Sequence, residues 1–312
     1  MYNSSMRKAR LNMRTHGQKI CATTIPQNLR QSKHGRFWAI MLCGHMLAWQ
    51  SLGDAQELQN PPRQSSFTSL VSTVGGDVSH VFSSPLRFNH KDGLQLLVLT
   101  ATTVIFVTSL DQNIDQDFIE RDDFYIKPAS KLAQIGDAYD KLSAEYVLAG
   151  LSVPMLAGGL VLKDKKLMTT SRVMIESFLI AGAITQIGKK ISGRARPYTG
   201  NGPSSFAWFK FSGAEERRSF PSGHATGAFA LMTVLAKQYD SWWVEIPCYT
   251  LAVSVAMQRL DTHRHWGADV VLGSAIGYWV GSTLVNRHKQ QSTSWSAKPY
   301  LGTDRIGVAW SF

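Results

Sequence analysis

Apolar stretches of helix length recur six times along this chain, at about residues 94–110, 142–162, 170–190, 222–237, 242–258 and 267–285, with polar connectors between them. They run 16 to 21 residues with little strand-like alternation, so the pattern predicts helices rather than sheet. Short connections make consecutive helices antiparallel neighbours, and the expected fold class is all-α, an up-and-down bundle of about six helices. A helix that crosses a bilayer needs roughly 20 apolar residues, with about 17 as the lower limit. Residues 94–110 and 146–162 reach 17 without a charge, whereas the other stretches are interrupted by Arg172 and Glu176, by His224, by Glu245 or by Asp269. The expectation is a membrane-embedded bundle whose interrupting ionisable residues carry function, because such residues are costly in a membrane.

Charge narrows the partners. The 312 residues hold 33 Lys and Arg against 22 Asp and Glu, a formal charge of +11. Residues 1–36 contain eight of those cations and no acid, so the remaining 276 residues carry only +3 (eleven less eight). A basic excess confined to a leading segment gives no nucleic-acid footprint, and no nucleic-acid partner is expected. A hydrophobic content of 44% excludes a wholly disordered chain, and a mean hydropathy of −0.11 argues against one that is nearly all membrane helix. Cys21, Cys43 and Cys248 form no Cys-x-x-Cys pair, which excludes a disulfide framework and argues against a Cys-based zinc site. Cys248, in an apolar run, is expected to pack as a small hydrophobe.

The organisation follows from the same pattern. Residues 37–49 are a short apolar run behind the basic stretch, and Gly53 and Ala55 are spaced like the −3 and −1 positions of a signal-peptidase site. Residues 1–55 therefore read as a basic leader with an export signal or an uncleaved anchor. Residues 56–93 read as a polar linker, 94–287 as the helical domain, and 288–312 as a tail in which 306–312 alternates like one short strand. Residues 111–140 form an acidic connector with room for a short amphipathic helix.

Three polar clusters stand at the ends of the later helices. The first is Lys189-Lys-Ile-Ser-Gly-Arg-Ala-Arg196-Pro197. Lys189 and Arg196 lie about two helical turns apart and can project from one side. A guanidinium fork and a compact ammonium suit a phosphate dianion, although a cationic helix end that complements the macrodipole has the same composition. The second is Ser219-Phe-Pro221-Ser222-Gly223-His224, opening the fourth helix. Free N–H groups there favour an anion, Gly223 permits close approach, and His224 holds a transferable proton. The third is Arg259-Leu-Asp-Thr-His-Arg-His265-Trp-Gly-Ala-Asp269. His265 and Asp269 are i,i+4, so a carboxylate can fix the imidazole tautomer and leave the other nitrogen as nucleophile or base. Asp261 and His263 lie on the connector and read as structural, and no third metal ligand has a clear spacing. In an up-and-down bundle all three clusters meet at one end.

Taken together, the clusters resemble the type 2 phosphatidic acid phosphatase / vanadium haloperoxidase superfamily, whose signature runs Lys-x6-Arg-Pro, Pro-Ser-Gly-His, Ser-Arg-x5-His-x3-Asp. This chain has Lys189-x6-Arg196-Pro197, Pro221-Ser222-Gly223-His224 and Arg259-x5-His265-x3-Asp269, within a resemblance covering about residues 90–287. Gln258 stands where the family usually has Ser before the Arg, a departure that bears on fine positioning. The resemblance implies that His265 attacks phosphorus to form a phosphohistidine and that Asp269 orients it. It implies that His224 protonates the leaving oxygen and later helps activate water. Lys189, Arg196, Ser222, the Gly223 N–H and Arg259 would hold the phosphoryl oxygens. Phosphatases of this kind use no metal and no cofactor, whereas haloperoxidases hold vanadate in the same cage.

The resemblance points to hydrolysis of a lipid phosphate of the phosphatidic acid, phosphatidylglycerol phosphate or isoprenyl pyrophosphate type. The alternatives are a soluble periplasmic acid phosphatase of broad specificity and, further off, a vanadium-dependent haloperoxidase. Lys163, Lys165, Lys166, Lys237, Arg287 and Lys289 fall at the ends opposite the clusters, and the positive-inside rule places those ends in the cytoplasm. The expected location is the bacterial inner membrane with the site facing the periplasm. A cleaved leader would put residues 56–93 on the other side, so the two expectations conflict unless the leader stays or 94–110 does not fully cross. Between Pro197 and Pro221, Phe206, Trp208, Phe209 and Phe211 suit either a loop with its own small core or a membrane interface. Arg217 and Arg218 read as exposed loop cations or as contacts to a second phosphate. Oligomeric state leaves no mark in the sequence.

Overall fold

The computed structural model describes residues 66–120, 124, 126–211, 213–293, 296–301 and 306–311. Of two units, Met1–Phe67 is described only at its last two residues, and Thr68–Phe312 contains the helical domain. The export-signal reading, with Cys21 and Cys43, lies outside the described residues.

The helices are α1 (Ser66–Ser83), α2 (His90–Ile105), α3 (Asp111–Glu120), α4 (Ile126–Leu142), α5 (Ala144–Leu162), α6 (Lys165–Ser192), α7 (Gly223–Tyr239), α8 (Trp242–Asp261) and α9 (Gly267–Thr293). The fold is all-α, as the apolar periodicity predicts. The six expected stretches appear as α2, α5, α6, α7, α8 and α9. Residues 66–83, read as part of a polar linker, form α1, and the acidic connector forms two helices, α3 and α4, where one short one was expected. At the C-terminal end, β1 (Ser296–Leu301) pairs antiparallel with β2 (Ile306–Ser311), so the alternation read there is, over residues 306–311, half of a hairpin.

Local chemistry sets the helix ends. At the start of α2, Asn89 Oδ1 accepts from the Lys91 and Asp92 N–H groups while the Asp92 carboxylate accepts from the Asn89 N–H, a reciprocal capping box. A π-helical turn, Phe106–Leu110, joins α2 to α3 in a continuous helix of 31 residues. Asp164 caps α6, accepting from the Lys166 N–H at 2.7 Å.

Among the described residues, four helices are long and apolar enough to cross a membrane: His90–Glu120, Ala144–Leu162, Lys165–Thr199 and Gly267–Gln291. On α2, Leu94, Leu96, Leu97, Val98, Val104 and Ile105 are each more than 50% exposed. A contiguous apolar face of this kind is costly in water and suits a lipid environment.

The core helices run as an up-and-down bundle. Ser171 Oγ on α6 donates to the Ser152 carbonyl on α5 at 2.7 Å, and Thr185 Oγ1 on α6 donates to Thr226 Oγ1 on α7 at 3.1 Å. The parallel pair α7 and α9 pack on a stripe of glycines: Gly273, Gly277 and Gly281 face Ser222, Thr226 and Ala230 of α7. A Cβ on Gly273 would stand 2.5 Å from the Ser222 carbonyl oxygen and 3.0 Å from Thr226 Oγ1. The gap cannot open without moving Ser222, whose N–H donates to the Asp269 carbonyl at 2.9 Å. Gly273→Ala is therefore expected to cost about 1–3 kcal/mol. It should lower the thermal unfolding midpoint in detergent, whereas Gly93→Ala, with open space at its Cβ, should not.

A second polar cluster lies away from the three motif clusters. Asp77 on α1, fully buried, pairs with Arg287 at 2.8 Å and His288 at 3.0 Å near the end of α9, and Arg172 pairs with Glu176 on α6 at 3.4 Å. Thirteen residues of helix, about 20 Å, separate Glu176 from Lys189. The Arg172 and Glu176 interruption of the third apolar stretch thus belongs to a set of ion pairs that ties α1 to the bundle. His224 and Asp269 interrupt theirs at the motif end.

Candidate active site

The ends of α6 and α8 and the starts of α7 and α9 meet at one pole. Gly193 stops α6 in the left-handed region (φ 54°), where a Cβ would meet the Ala207 carbonyl oxygen at 2.6 Å. The chain then folds back along its own helix end. The Ala195 N–H donates to the Ser205 carbonyl at 2.9 Å, and the Ser219 N–H donates to the Arg194 carbonyl at 3.1 Å. This return delivers Ser222 to the start of α7, beside the first turn of α9.

Asp269 is the hub. It is fully buried. Its Oδ1 accepts from Arg194 Nη1 at 2.6 Å, its Oδ2 accepts from the Trp266 N–H at 2.9 Å, and the Ser219 hydroxyl also donates to Oδ2. His265 Nδ1 stands 3.5 Å from the same Oδ2. That separation is long for a hydrogen bond, but the facing is the one in which a carboxylate fixes an imidazole tautomer and leaves Nε2 free. Burial pushes His265 down to about 3, helped by the charges of Lys189 and Arg196 and opposed by Asp269. The imidazole is therefore unprotonated at neutral pH, with its lone pair available.

The cations surround this pair. Lys189, buried, donates from Nζ to the Arg218 carbonyl at 2.6 Å. Arg196, also buried, donates from Nε to the Glu215 carbonyl at 3.1 Å and pairs with the Glu215 carboxylate. The Gly223 Cα faces Lys189, since a Cβ there would lie 3.7 Å from Lys189 Cε. Ser222 is fully buried at the α7 N-terminus, and its hydroxyl has no hydrogen-bond partner among the described residues. A buried, unsatisfied hydroxyl at a helix N-terminus with free N–H groups is suited to an anion. His224 is part-exposed at the same turn, with Nε2 3.4 Å from Asp140 Oδ1. Arg259 reaches that same oxygen at 2.7 Å.

All eight residues singled out from the sequence (Lys189, Arg196, Ser222, Gly223, His224, Arg259, His265 and Asp269) thus gather at this pole. Asp261 and His263, read as structural, pair with Ser130 at 2.8 Å and Asp115 at 2.8 Å. The aromatic loop divides between its two readings. Phe206 stacks on Trp208 with centroids 4.9 Å apart and lies against the Arg194 guanidinium, whereas Trp208, Phe209 and Phe211 are exposed. Arg217 and Arg218 are held by Ser205 and Gln186.

Two groups escaped the sequence reading. Arg194, fully buried, bridges Asp269 and Asp111 of α3, with Nη2 donating to Asp111 Oδ2 at 2.6 Å. The acidic connector supplies the anions around the cationic pole: Asp111 to Arg194, Asp115 to His263, and Asp137 and Asp140 to Gln258 and Arg259. The available signal was density, since residues 111–140 hold eight of the 22 acids.

Comparison with known proteins agrees with this geometry. The family model of the PAP2 superfamily matches residues 172–292. Over 104 residues the chain is 33% identical to a lipid A 1-phosphatase of Porphyromonas gingivalis, covering 33% of this chain and 20% of that protein. It is 32% identical over 102 residues to a lipid A 1-phosphatase of Rhizobium johnstonii, covering 32% of this chain and 41% of that protein. It is 28% identical over 144 residues to an undecaprenyl-diphosphatase of Sulfolobus acidocaldarius, covering 45% of this chain and 63% of that protein. The alignments thus span less than half of either lipid A 1-phosphatase. No solved structure matches the chain. The matched residues 172–292 include the whole motif-bearing pole from Lys189 to Asp269.

Proposed function

We propose that this protein is a membrane phosphatase that removes a phosphoryl group from a lipid phosphate, with His265 as the nucleophile. The observation that carries the reading is the buried Ser222 hydroxyl without a partner among the described residues, at an α7 N-terminus that is bonded to Asp269 through the Ser222 N–H and lies against Lys189 at Gly223. Four apolar helices and relatives named for lipid A and undecaprenyl diphosphate support a lipid substrate.

The phosphoryl oxygens sit among Lys189, Arg196, Arg259, the Ser222 hydroxyl and the Gly223 N–H. His265 Nε2 gives its lone pair to phosphorus, and the bond from phosphorus to the ester oxygen breaks toward the lipid. His224 passes its proton to that oxygen, so a neutral alcohol leaves. Water then attacks the phosphohistidine and gives a proton to His224, and the nitrogen–phosphorus bond returns its pair to His265. Asp269 stabilises the positive imidazole in between, and the fixed donors stabilise the charge gathering on the oxygens. None of these steps draws on a metal. The basic ends opposite the site support an orientation with the site facing the periplasm.

The test is phosphate release by the purified, detergent-solubilised protein from phosphatidic acid, a polyprenyl diphosphate, lipid A and a soluble sugar phosphate, with EDTA present. Release from at least one lipid in EDTA is the expected result. Activity only on the sugar phosphate, or only after a divalent ion is restored, would count against the proposal.

A further inference from the structure

Asp140 belongs to no motif of the sequence, yet it touches two groups assigned to the reaction. Its Oδ1 lies 2.7 Å from Arg259 Nη2 and 3.4 Å from His224 Nε2. Its Oδ2 accepts from Gln258 Nε2 at 3.4 Å, and the same amide nitrogen donates to Asp137 Oδ1 at 3.1 Å. Gln258 Oε1 in turn accepts from Arg259 Nε at 2.6 Å and from Nη2. The departure from Ser at position 258 thus has a structural consequence. A Gln amide is long enough to bind the guanidinium with its oxygen and the α4 carboxylates with its nitrogen, which a Ser hydroxyl cannot do at once.

We propose that Asp140, held in place through Gln258, is a positioning residue that fixes the His224 imidazole beside the leaving-group oxygen, stabilises it when it carries the proton and ties it to Arg259. The proposal rests on the phosphatase reading and deepens it. Four charged groups face the His224 imidazole: Asp140 from α4, Glu145 from α5, Lys189 from α6 and Arg259 from α8. Burial and the two cations push the imidazole below its ordinary value, and the two carboxylates act against them. Asp140 is the carboxylate within ion-pair distance. At 3.4 Å it is close enough to stabilise the imidazolium and too far to lock its proton in a tight hydrogen bond. Burial alone would raise the Asp140 carboxyl, but Arg259 holds it below its usual value, so it is an anion at neutral pH.

The arrangement has a cost with its own signature. Asp140 stands near the place a phosphate dianion enters and repels it. Removing the charge should therefore tighten ground-state phosphate binding while it slows protonation of the leaving group. A merely structural residue would weaken both.

The experiment compares wild type, Asp140→Asn and Asp140→Glu on two esters, p-nitrophenyl phosphate and a short-chain phosphatidic acid, with inorganic phosphate as competitive inhibitor. The aryl leaving group needs little protonation and the alkyl one needs much. In Asp140→Asn, kcat on the alkyl ester is expected to fall by about tenfold or more and kcat on the aryl ester much less. The limb of the kcat/KM profile belonging to the acid should move down by about one pH unit. Inhibition by phosphate should tighten, by up to about tenfold. Asp140→Glu should restore most of the alkyl-ester rate. Where the wild type does not accept phosphatidic acid, the panel lipid it does hydrolyse serves as the alkyl ester; if it hydrolyses none of them, the phosphatase reading fails and this proposal goes with it. If the wild type is active and Asp140→Asn lowers both esters equally, changes neither, or weakens phosphate binding, this proposal alone is overturned.

Discussion

His265→Ala is expected to abolish turnover, with a fall in kcat of about 10⁴-fold or more on every lipid phosphate the wild-type protein hydrolyses. The size follows from the role. Removal of a nucleophile eliminates the covalent route, and what remains is the help that positioned donors give to water, a residual of roughly 10³–10⁴ over the uncatalysed reaction in enzymes of comparable logic. His265 Nδ1 faces Asp269, which leaves Nε2 as the atom that would bond phosphorus in the proposed mechanism. Rapid acid-free quenching with labelled substrate should trap a base-stable, acid-labile phosphoenzyme in the wild type and none in His265→Ala. The variant should still bind inorganic phosphate, because Lys189, Arg196, Arg259 and the α7 N-terminus are untouched. Near-normal turnover, or an undiminished phosphoenzyme, would remove His265 from the role.

Much of this architecture was legible because it follows from local patterns. The periodicity of the apolar stretches gave the helices, and short connectors gave their antiparallel order. The three clusters were then forced to one pole by topology alone, as Ser222 beside Asp269 illustrates. What stayed hidden was long-range pairing of residues whose local context is bland. Arg194 sits between Gly193 and Ala195 and reads like any cation in a basic run. Only the return of the loop over α6 and the arrival of α3 show that it is the most enclosed cation at the pole. The acidic connector showed only room for a short amphipathic helix for the same reason. Asp111, Asp115, Asp137 and Asp140 have helical neighbours typical of exposed surface, and their partners lie between 83 and 157 residues away in sequence. Alpha-helix formation at 66–83 was masked by Gly75 and Gly76, which lower helix propensity and read as a break. Gly76 instead faces Arg287, where a Cβ would lie 2.8 Å from the guanidinium.

Arg194→Met should be the most destabilising single change at this pole, at about 3–5 kcal/mol. The guanidinium is fully buried between two fully or nearly fully buried carboxylates, with Nη1 on Asp269 and Nη2 on Asp111, both at 2.6 Å. Its Nε donates to the Pro203 carbonyl at 2.8 Å, and the rings of Phe206, Phe220 and Trp266 lie around it. Methionine fills much of the space and removes the charge, so two carboxylates are left without their common cation. The cost comes less from the lost attraction than from stranding those anions. Three further variants separate that cause from lost packing. Arg194→Lys keeps a charge but cannot bridge two carboxylates with a planar fork, so it should fall between wild type and Arg194→Met. Asp111→Asn placed in the Arg194→Met background should recover part of the loss, because one stranded charge is gone, whereas Asp111→Asn alone should destabilise. Asp269 still has the Trp266 N–H and the Ser219 hydroxyl in every variant, so His265 keeps a partner where the fold survives. Thermal unfolding in detergent measures all four proteins. An Arg194→Met protein as stable as the wild type, or a double variant no better than the single one, would mean that Asp111 and Asp269 are held by something other than this cation.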